Sequence, residues 1–585
     1  MPRLNDEVQA LLQEYADLIS ITGGDAFRAR AYEKAARAVG EHPEDIAHAD
    51  AKVLQQIPGV GKSTAEKIAA YLRTGRIEQV EQLRAEIPPG VREVMGIPTV
   101  GPKKAMALYR DLGIDSVDAL AEAIRADRLR DVAGFGERSA ARVLRGIELR
   151  RATGGRIGID VALALAEEVV AALSAAPGCT RCAYAGSLRR MPETVGGLDV
   201  LATAEDPAPL LAALTSLPYV AEVVESGPAG ASVRTKADLR IDLRIVPEDD
   251  WGAALLCRTG SKAHTARLSA LAADAGLTLS EHGLRRTGAR AGKGAGAATG
   301  ERAPAHSEEE VYAALGLPWI APPLREDGGE IEAAQRGELP PLVTEQDLRG
   351  DLHTHTDLTD GLATLEEMVA AAAGRGYAYF AVTDHAPDLV MQRMTDEKML
   401  AQRRHLRELA GRHRRMRLLH GTELNIGPDG DVDWPADFLA GFDVCVASVH
   451  SHFDLDRAAQ TRRLVRACEN PHVHVIGHPT TRLIGRRAPI DVDLDEVFRA
   501  CARTGTALEI NGSPHRLDLG SEHVRRARAV GVRFAVDSDA HAVSRLGHQR
   551  YGIGTAQRAG LTAEDVVNAW PWQRLKRFLD KSASA

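Results

Sequence analysis

What most restricts the fold of this chain is a row of metal-binding side chains, each placed where an apolar run ends. In DLHTHTDLTDG, Asp351 to Gly361, His353 and His355 are two residues apart, so in an extended strand both imidazoles leave the same face. Asp360 returns from the following loop. Donors recur at His385 in YFAVTDHAP, Glu423 in RLLHGTELNI, His450 in FDVCVASVHS, His478 in HVHVIGHPT, and Asp539 with His541 in VRFAVDSDAH. In a parallel barrel the C-terminal strand ends share one rim, so these nine donors are expected to meet. Mixed nitrogen and oxygen donors suit manganese, iron or zinc in a site with more than one ion, and suit magnesium or calcium poorly. Fifteen of the 20 histidines lie from Leu348 onward, a concentration that ordinary core or surface histidines do not explain.

The order HTH, TDG, TDH, GTE, SVH, GHP, SDAH resembles the PHP (polymerase and histidinol phosphatase) domain across residues 348–585. The resemblance implies a distorted (β/α)7 barrel, a multinuclear Mn2+ or Zn2+ site and metal-dependent phosphoesterase chemistry. Which ligand serves which ion stays open.

At 585 residues the chain should hold several domains. A net charge of -8 gives no global signature for nucleic acid, so any such binding must be local. The N-terminal residues have neither a signal-peptide core nor a transit-peptide composition, and no later apolar run is long enough to span a bilayer. A cytoplasmic protein without a membrane partner is expected. Of six scattered cysteines only Cys179 and Cys182 have metal-like spacing, and all are expected to be free thiols.

Residues 1 to about 50 carry helical periodicity, with Val8, Leu11, Leu12, Tyr15, Ala16 and Ile19 on one face, a break at Gly23 and Gly24, and a second helix from Ala26. IPGVGKSTAEKI follows, with Gly59, Val60 and Gly61 in a glycine hairpin whose backbone N–H groups can hold a DNA phosphate. A second copy, IPTVGPKKAMAL, places Val100 and Gly101 alike, and a looser third spans 132–144. These resemble helix-hairpin-helix DNA-binding motifs. Residues 51–110 hold ten Lys or Arg against five Asp or Glu, which fits sequence-independent backbone binding.

From Gly158 helix and strand alternate. CAYAGSLRRMPETVGGLDVLAT offers a Gly-Ser turn, Gly186 and Ser187, beside Arg189 and Arg190, and then a strand bearing Asp199. KADLRIDLRIV is read as one strand with Asp238, Arg240, Asp242 and Arg244 on a shared face. LLCRTGSKAHTARL adds a second Gly-Ser turn, Gly260 and Ser261. Residues 284–307 read as a mobile loop, SEEEVYAALGL as a helix with Ser307 and Glu310 in a capping box, and 321–347 as linker.

In this order the segments from 1 to about 320 resemble a family X DNA polymerase. The resemblance implies a lyase-like helical domain (1–85), helix-hairpin-helix fingers (86–155), a nucleotidyltransferase palm with a mixed sheet (156–250), a thumb (251–325) and a linker (326–347) before the PHP domain (348–585). It implies Mg2+ or Mn2+ on catalytic aspartates, of which Asp199 and Asp242 match the second and third while Gly197 stands where the first belongs. Gly186, Ser187, Arg190, Gly260 and Ser261 match nucleotide contacts, and Lys67 a Schiff-base lysine for excising 5′ deoxyribose phosphate. Asp238 is a stand-in for the missing carboxylate. Cys257 and Arg258 replace the aromatic wall that excludes a ribose, so synthesis is expected to be slow, manganese-favouring and tolerant of sugar. Partners are DNA, gapped or primer-template, with its 3′ ends, and dNTPs; a monomer is expected. The whole reads as a repair polymerase fused to a 3′-5′ exonuclease. Its rivals are a gap- or end-binding nuclease with a decayed polymerase half and a phosphatase of small phosphomonoesters.

Overall fold

Six apolar residues on one face start the fold. Val8, Leu11, Leu12, Tyr15, Ala16 and Ile19 are all buried on the helix Leu4–Ile21, against a second helix, Ala26–Gly40, whose N-terminus Asp25 caps. The computed structural model describes this 585-residue chain except residues 1–3, 23, 43, 98–99, 130–139, 141–142, 145, 149–153, 288–300, 304, 390–391, 393 and 582–585. One buried core continues from Val8 to Ile147, so packing does not break at the boundary expected near residue 85. Two hairpins repeat the same geometry within it. One joins the helices Ala51–Leu54 and Lys62–Thr74, the other Pro89–Met95 and Pro102–Leu112. The Val60 N–H donates to the Ile57 carbonyl and the Val100 N–H to the Ile97 carbonyl, each at 3.0 Å. The third hairpin lies largely outside the described residues.

The palm is a mixed five-stranded sheet of β1 (Cys179–Tyr184), β2 (Gly197–Ala204), β3 (Val220–Gly227), β4 (Gly230–Thr235) and β5 (Arg240–Ile245), in the order β1-β2-β5-β4-β3. Only β2 and β5 run parallel, with Asp199 directly opposite Asp242. Asp238 is not on β5: it sits in the preceding turn at φ 62°, largely exposed, bound to Arg234 at 2.7 Å. A left-handed turn residue cannot share a strand face, so the stand-in reading fails.

In the thumb, helices Trp251–Thr259, Lys262–Asp274 and Glu308–Ala314 pack with the hairpin Leu277–Ser280 and Gly283–Arg286. The body of the expected mobile loop, 288–300, lies outside the described residues. Ser307 accepts the Glu310 N–H, but the Glu310 carboxylate reaches the His306 N–H, so the capping box is only half made. The expected linker contains a helix, Glu330–Arg336, with Ile331 and Ala334 buried in the thumb core. Glu330 accepts from His264 at 2.5 Å there.

The C-terminal half is seven parallel strands in sequential order: β6 (Gly350–Asp351), β7 (Tyr379–Val382), β8 (Arg417–Asn425), β9 (Val444–Ser448), β10 (Val475–Ile476), β11 (Ala507–Asn511) and β12 (Phe534–Asp537). Both faces are covered, which is why the strands read as continuous apolar runs. Tyr379 and Ala381 join an inner core floored by Val567, Trp570 and Leu575, whereas Phe380 and Val382 pack outward with helix residues. Between β6 and β12 side chains do part of the closing. The amides of Gln549 and Asn568 each donate to the Gly350 and Val536 carbonyls. This nearly closed, distorted seven-stranded barrel is the expected one. Among the described residues no helix is long and apolar enough to cross a membrane.

Candidate functional site

Because all seven strands point the same way, their C-terminal ends bring the nine expected donors together. Glu423, from the end of β8, is central. Its Oε1 lies 3.1 Å from His450 Nε2 and 3.0 Å from His478 Nε2, and its Oε2 lies 2.9 Å from His385 Nδ1. The same Oε2 is 3.5 Å from Nε2 of both His353 and His355. Asp539 Oδ1 is 3.4 Å from His355 Nε2, and Asp360 Oδ1 is 3.5 Å from His385 and 3.4 Å from His541. Three groups within this set are close enough to hold an ion each: His355, Asp360, His385 and His541; His353, His355 and Asp539; His385, Glu423 and His450. The Nε2 atoms of His353 and His355 are buried without a hydrogen-bond partner. Orphaned imidazole nitrogens aimed among carboxylates fit a cluster of divalent cations.

A supporting layer fixes these donors. Glu509, on β11, accepts from His353 Nδ1 at 2.7 Å and from the His478 N–H, which leaves His353 Nε2 facing inward. Asn511 donates to Glu509 and to Asp539, and Asn425 accepts from His450 Nδ1 at 2.8 Å. Asp384 accepts from the Thr356 and Thr359 hydroxyls and from Gln402, holding the loop that carries Asp360. None of these was singled out from sequence. For Glu509 a signal existed, since ALEIN places a carboxylate inside a buried strand as HGTELN does for Glu423. His478 and Asp539 have φ of 27° and 52°, left-handed backbone at the ligands themselves.

Burial alone would raise the Glu423 carboxyl, but His450, His353 and His385 hold it well below the usual range. Burial likewise opposes charge on His385, and Glu423 and Asp360 still push it up to about 10. His355 falls to about 4 through burial and its neighbours His541 and His385; His478 falls to about 3 through burial and Arg516. Protons on some imidazoles thus answer the carboxylates, while others stay neutral, the form that binds metal.

The palm site is answered differently. Asp199 lies against Gly186, where a Cβ would stand 2.2 Å from its Oδ2. Arg258 Nη1 is 3.4 Å from Asp199 Oδ1, and Arg240 Nε is 2.9 Å from Asp242 Oδ1. Burial and Asp242 raise the Asp199 carboxyl above its ordinary value despite Arg258. With Gly197 adding no carboxylate, this set fits a pair of divalent ions poorly. Ser187 ends the Gly-Ser turn, where Arg190 donates to Glu326 at 2.9 Å and to the Thr259 carbonyl. Arg189 grips Glu308 with both nitrogens. Gly260 and Ser261 cap successive helices, and Ser261 accepts the His264 N–H. The expected nucleotide contacts therefore lie on two turns, joined where Arg189 and Arg190 donate to Thr259, with Arg190 already engaged.

Lys67 is half-buried and donates to Ser63 Oγ at 2.8 Å. At the hairpins Ile57, Val60, Ile97 and Val100 are buried, while Gly59, Gly61 and Gly101 are exposed. Gly61 and Gly101 have ordinary φ of -76° and -74°, and a Cβ at either would touch nothing. Nothing among the described residues calls for glycine there. Both helices also lack a side-chain cap, which leaves their N-terminal amides open to an outside acceptor. Of the arginines after GHPTT, Arg482 is committed to Glu193 at 2.6 Å, and Arg487 lies 4.3 Å over the Phe453 ring.

Comparisons with known proteins agree with this layout. Family models match as a helix-hairpin-helix domain (residues 3–77), a SAM-like helix-hairpin-helix tandem (91–150), a DNA polymerase beta thumb (254–326) and a PHP domain (351–513). The chain is 33% identical over 579 residues to the DNA polymerase/3'-5' exonuclease PolX of Bacillus subtilis (strain 168), covering 98% of this chain and 99% of that one. It is 30% identical over 232 residues to a probable phosphatase of Thermoanaerobacter sp. (strain X514), covering 37% and 89%. A probable phosphatase of Shewanella sediminis (strain HAW-EB3) is 31% identical over 241 residues, 40% and 93%.

Proposed function

The chain belongs to the DNA polymerase/3'-5' exonuclease PolX family, and from that premise we propose how its residues divide the work. It is a family X DNA polymerase with a PHP-domain exonuclease, acting on DNA with dNTPs and using divalent metal. The observation that carries the reading is the convergence on Glu423 of donors from separate strand ends, with Nε2 of His353 and His355 left unpartnered.

In our reading His353, His355, Asp360, His385, Glu423, His450, His478, Asp539 and His541 hold Mn2+ or Zn2+. When bound, such ions lower the pKa of water and neutralise the leaving oxygen at a phosphodiester. Glu423, with imidazoles at both oxygens, would help hold them, Glu509 keeps His353 in the tautomer that presents Nε2, and Asn425 does the same for His450. The substrate is a DNA 3′ end. Gly59, Gly61 and Gly101 would grip the phosphates of a gap or primer-template through backbone N–H groups, independent of sequence, while Val60 and Val100, whose own N–H groups go to Ile57 and Ile97, would hold the hairpins in shape.

Asp199 and Asp242 are the remaining carboxylates for nucleotidyl transfer, with Gly186, Ser187, Arg190, Gly260 and Ser261 at the triphosphate. Because Arg190 is engaged by Glu326, nucleotide must compete for it. Lys67 is the candidate lyase nucleophile, and Ser63 holds its amine. We place the activity in DNA repair in the cytoplasm, carried out by a monomer. The relatives named as probable phosphatases match no more than two fifths of the chain; the open hairpin N-termini favour DNA over a small phosphomonoester. Incubating a labelled primer-template with Mn2+ tests the reading: the primer should shorten without nucleotides and lengthen with them. A primer left unchanged, beside rapid hydrolysis of histidinol phosphate, would overturn it.

A further inference from the structure

Arg258 does something no expectation assigned to it. It comes from the helix Trp251–Thr259, and Nη1 faces Asp199 on the palm at 3.4 Å while Nη2 binds Glu281 in the thumb hairpin turn at 2.8 Å. Its side chain is only 19% exposed, and its Nε is buried without a partner. Arg240 at Asp242 is half exposed and easily displaced, whereas Arg258 is anchored from two sides. Gly197 supplies no third carboxylate, so two arginines stand against the two aspartates that remain. A guanidinium fixed beside a carboxylate answers its charge and repels an incoming divalent ion.

We propose that Arg258 is a resident cation of the palm: it holds Asp199 in place of a metal, ties it to the thumb through Glu281, and sets how much metal nucleotidyl transfer demands. The proposal rests on the polymerase reading, but Mn2+ binding tests it independently of synthesis. Binding to the full-length chain is measured by the electron paramagnetic resonance of free Mn2+, for wild type, Arg258→Gln, Arg258→Met, and Arg258→Gln combined with Asp199→Asn. The barrel ligands are the same in all four, so differences report the palm. Both single variants should bind one further Mn2+ about tenfold more tightly than wild type, and the double variant should lose that gain. On a primer whose 3′ end carries phosphorothioate linkages, the Mn2+ needed for half-maximal extension should fall in parallel. Superimposable isotherms in folded single variants, or unfolding of both, would overturn the proposal. A binding gain without extension in any form would uphold it and sink the polymerase reading instead.

Discussion

The barrel rim and the palm each gather carboxylates for cations, and they differ in what answers those charges when no ion is bound. At the rim Asp360, Glu423 and Asp539 face imidazoles, with one guanidinium, Arg516, 3.6 Å from the other oxygen of Asp539. At the palm Asp199 and Asp242 face guanidiniums. An imidazole can give up its proton and become the ligand; a guanidinium keeps its charge at any working pH. One centre is therefore ready to exchange protons for metal, and the other holds a cation that cannot leave by deprotonation.

The sharpest way to break this contrast is His353→Ala with His355→Ala. Digestion of 5′-labelled single-stranded DNA should fall on the order of 1000-fold, with primer extension unchanged; retained digestion would remove the rim from the chemistry. Next in size is the clamp on Glu308 that joins the thumb to the palm. Burial would raise Glu308, yet Arg325 and Arg189 lower it to about 2. A depressed carboxyl stabilises the fold above its unfolded value, near 4.5, and that contribution is lost as pH falls through about 2. Denaturant unfolding of the thumb should find Glu308→Gln less stable than wild type by about 3 kcal/mol at pH 7, the gap closing between roughly pH 5 and 2. A gap independent of pH would mean that ionisation of Glu308 is not what the two arginines stabilise.

Smaller again is Glu509→Gln, expected to lower digestion by about 10- to 100-fold by loosening His353. Unchanged metal affinity and rate would show that the rim needs no support from β11. Finally, Gly197→Asp should raise Mn2+-dependent extension about tenfold. Its Cβ would lie 3.2 Å from the Arg240 carbonyl, so β5 must yield slightly. No gain would show that the missing carboxylate is not what limits the palm.

The rim was legible because each ligand ends an apolar run, and parallel strands turn that one-dimensional regularity into proximity. His353 and His355 show it most directly. Glu509 stands third from the end of β11 as Glu423 does on β8, but its role as a support for a ligand appears only when His353 is brought across the barrel. Arg258 was visible as a departure from an aromatic pattern, but a pairing with Asp199 across 59 positions has no periodicity to betray it. Asp238 failed because one left-handed residue ends the alternation that placed it on β5. The helix Glu330–Arg336 is too short for a periodic signal, and proline and charge around it suggested a linker.

Glu326 receives Arg190 at 2.9 Å and, from the barrel helix Gln549–Arg558, Arg558 at 2.8 Å. Arg558 also donates to the Arg190 carbonyl, Met191 lies against Gly554, and Leu517 from the barrel is buried in the palm core. A gene cut at residue 347 would thus not yield two independent products. Each fragment would carry a wetted apolar scar, one keeping Arg190 with Glu326 and the other Arg558 alone, and the pair should recombine when co-expressed. Trimming and synthesis are joined by a shared side chain as well as by the peptide backbone.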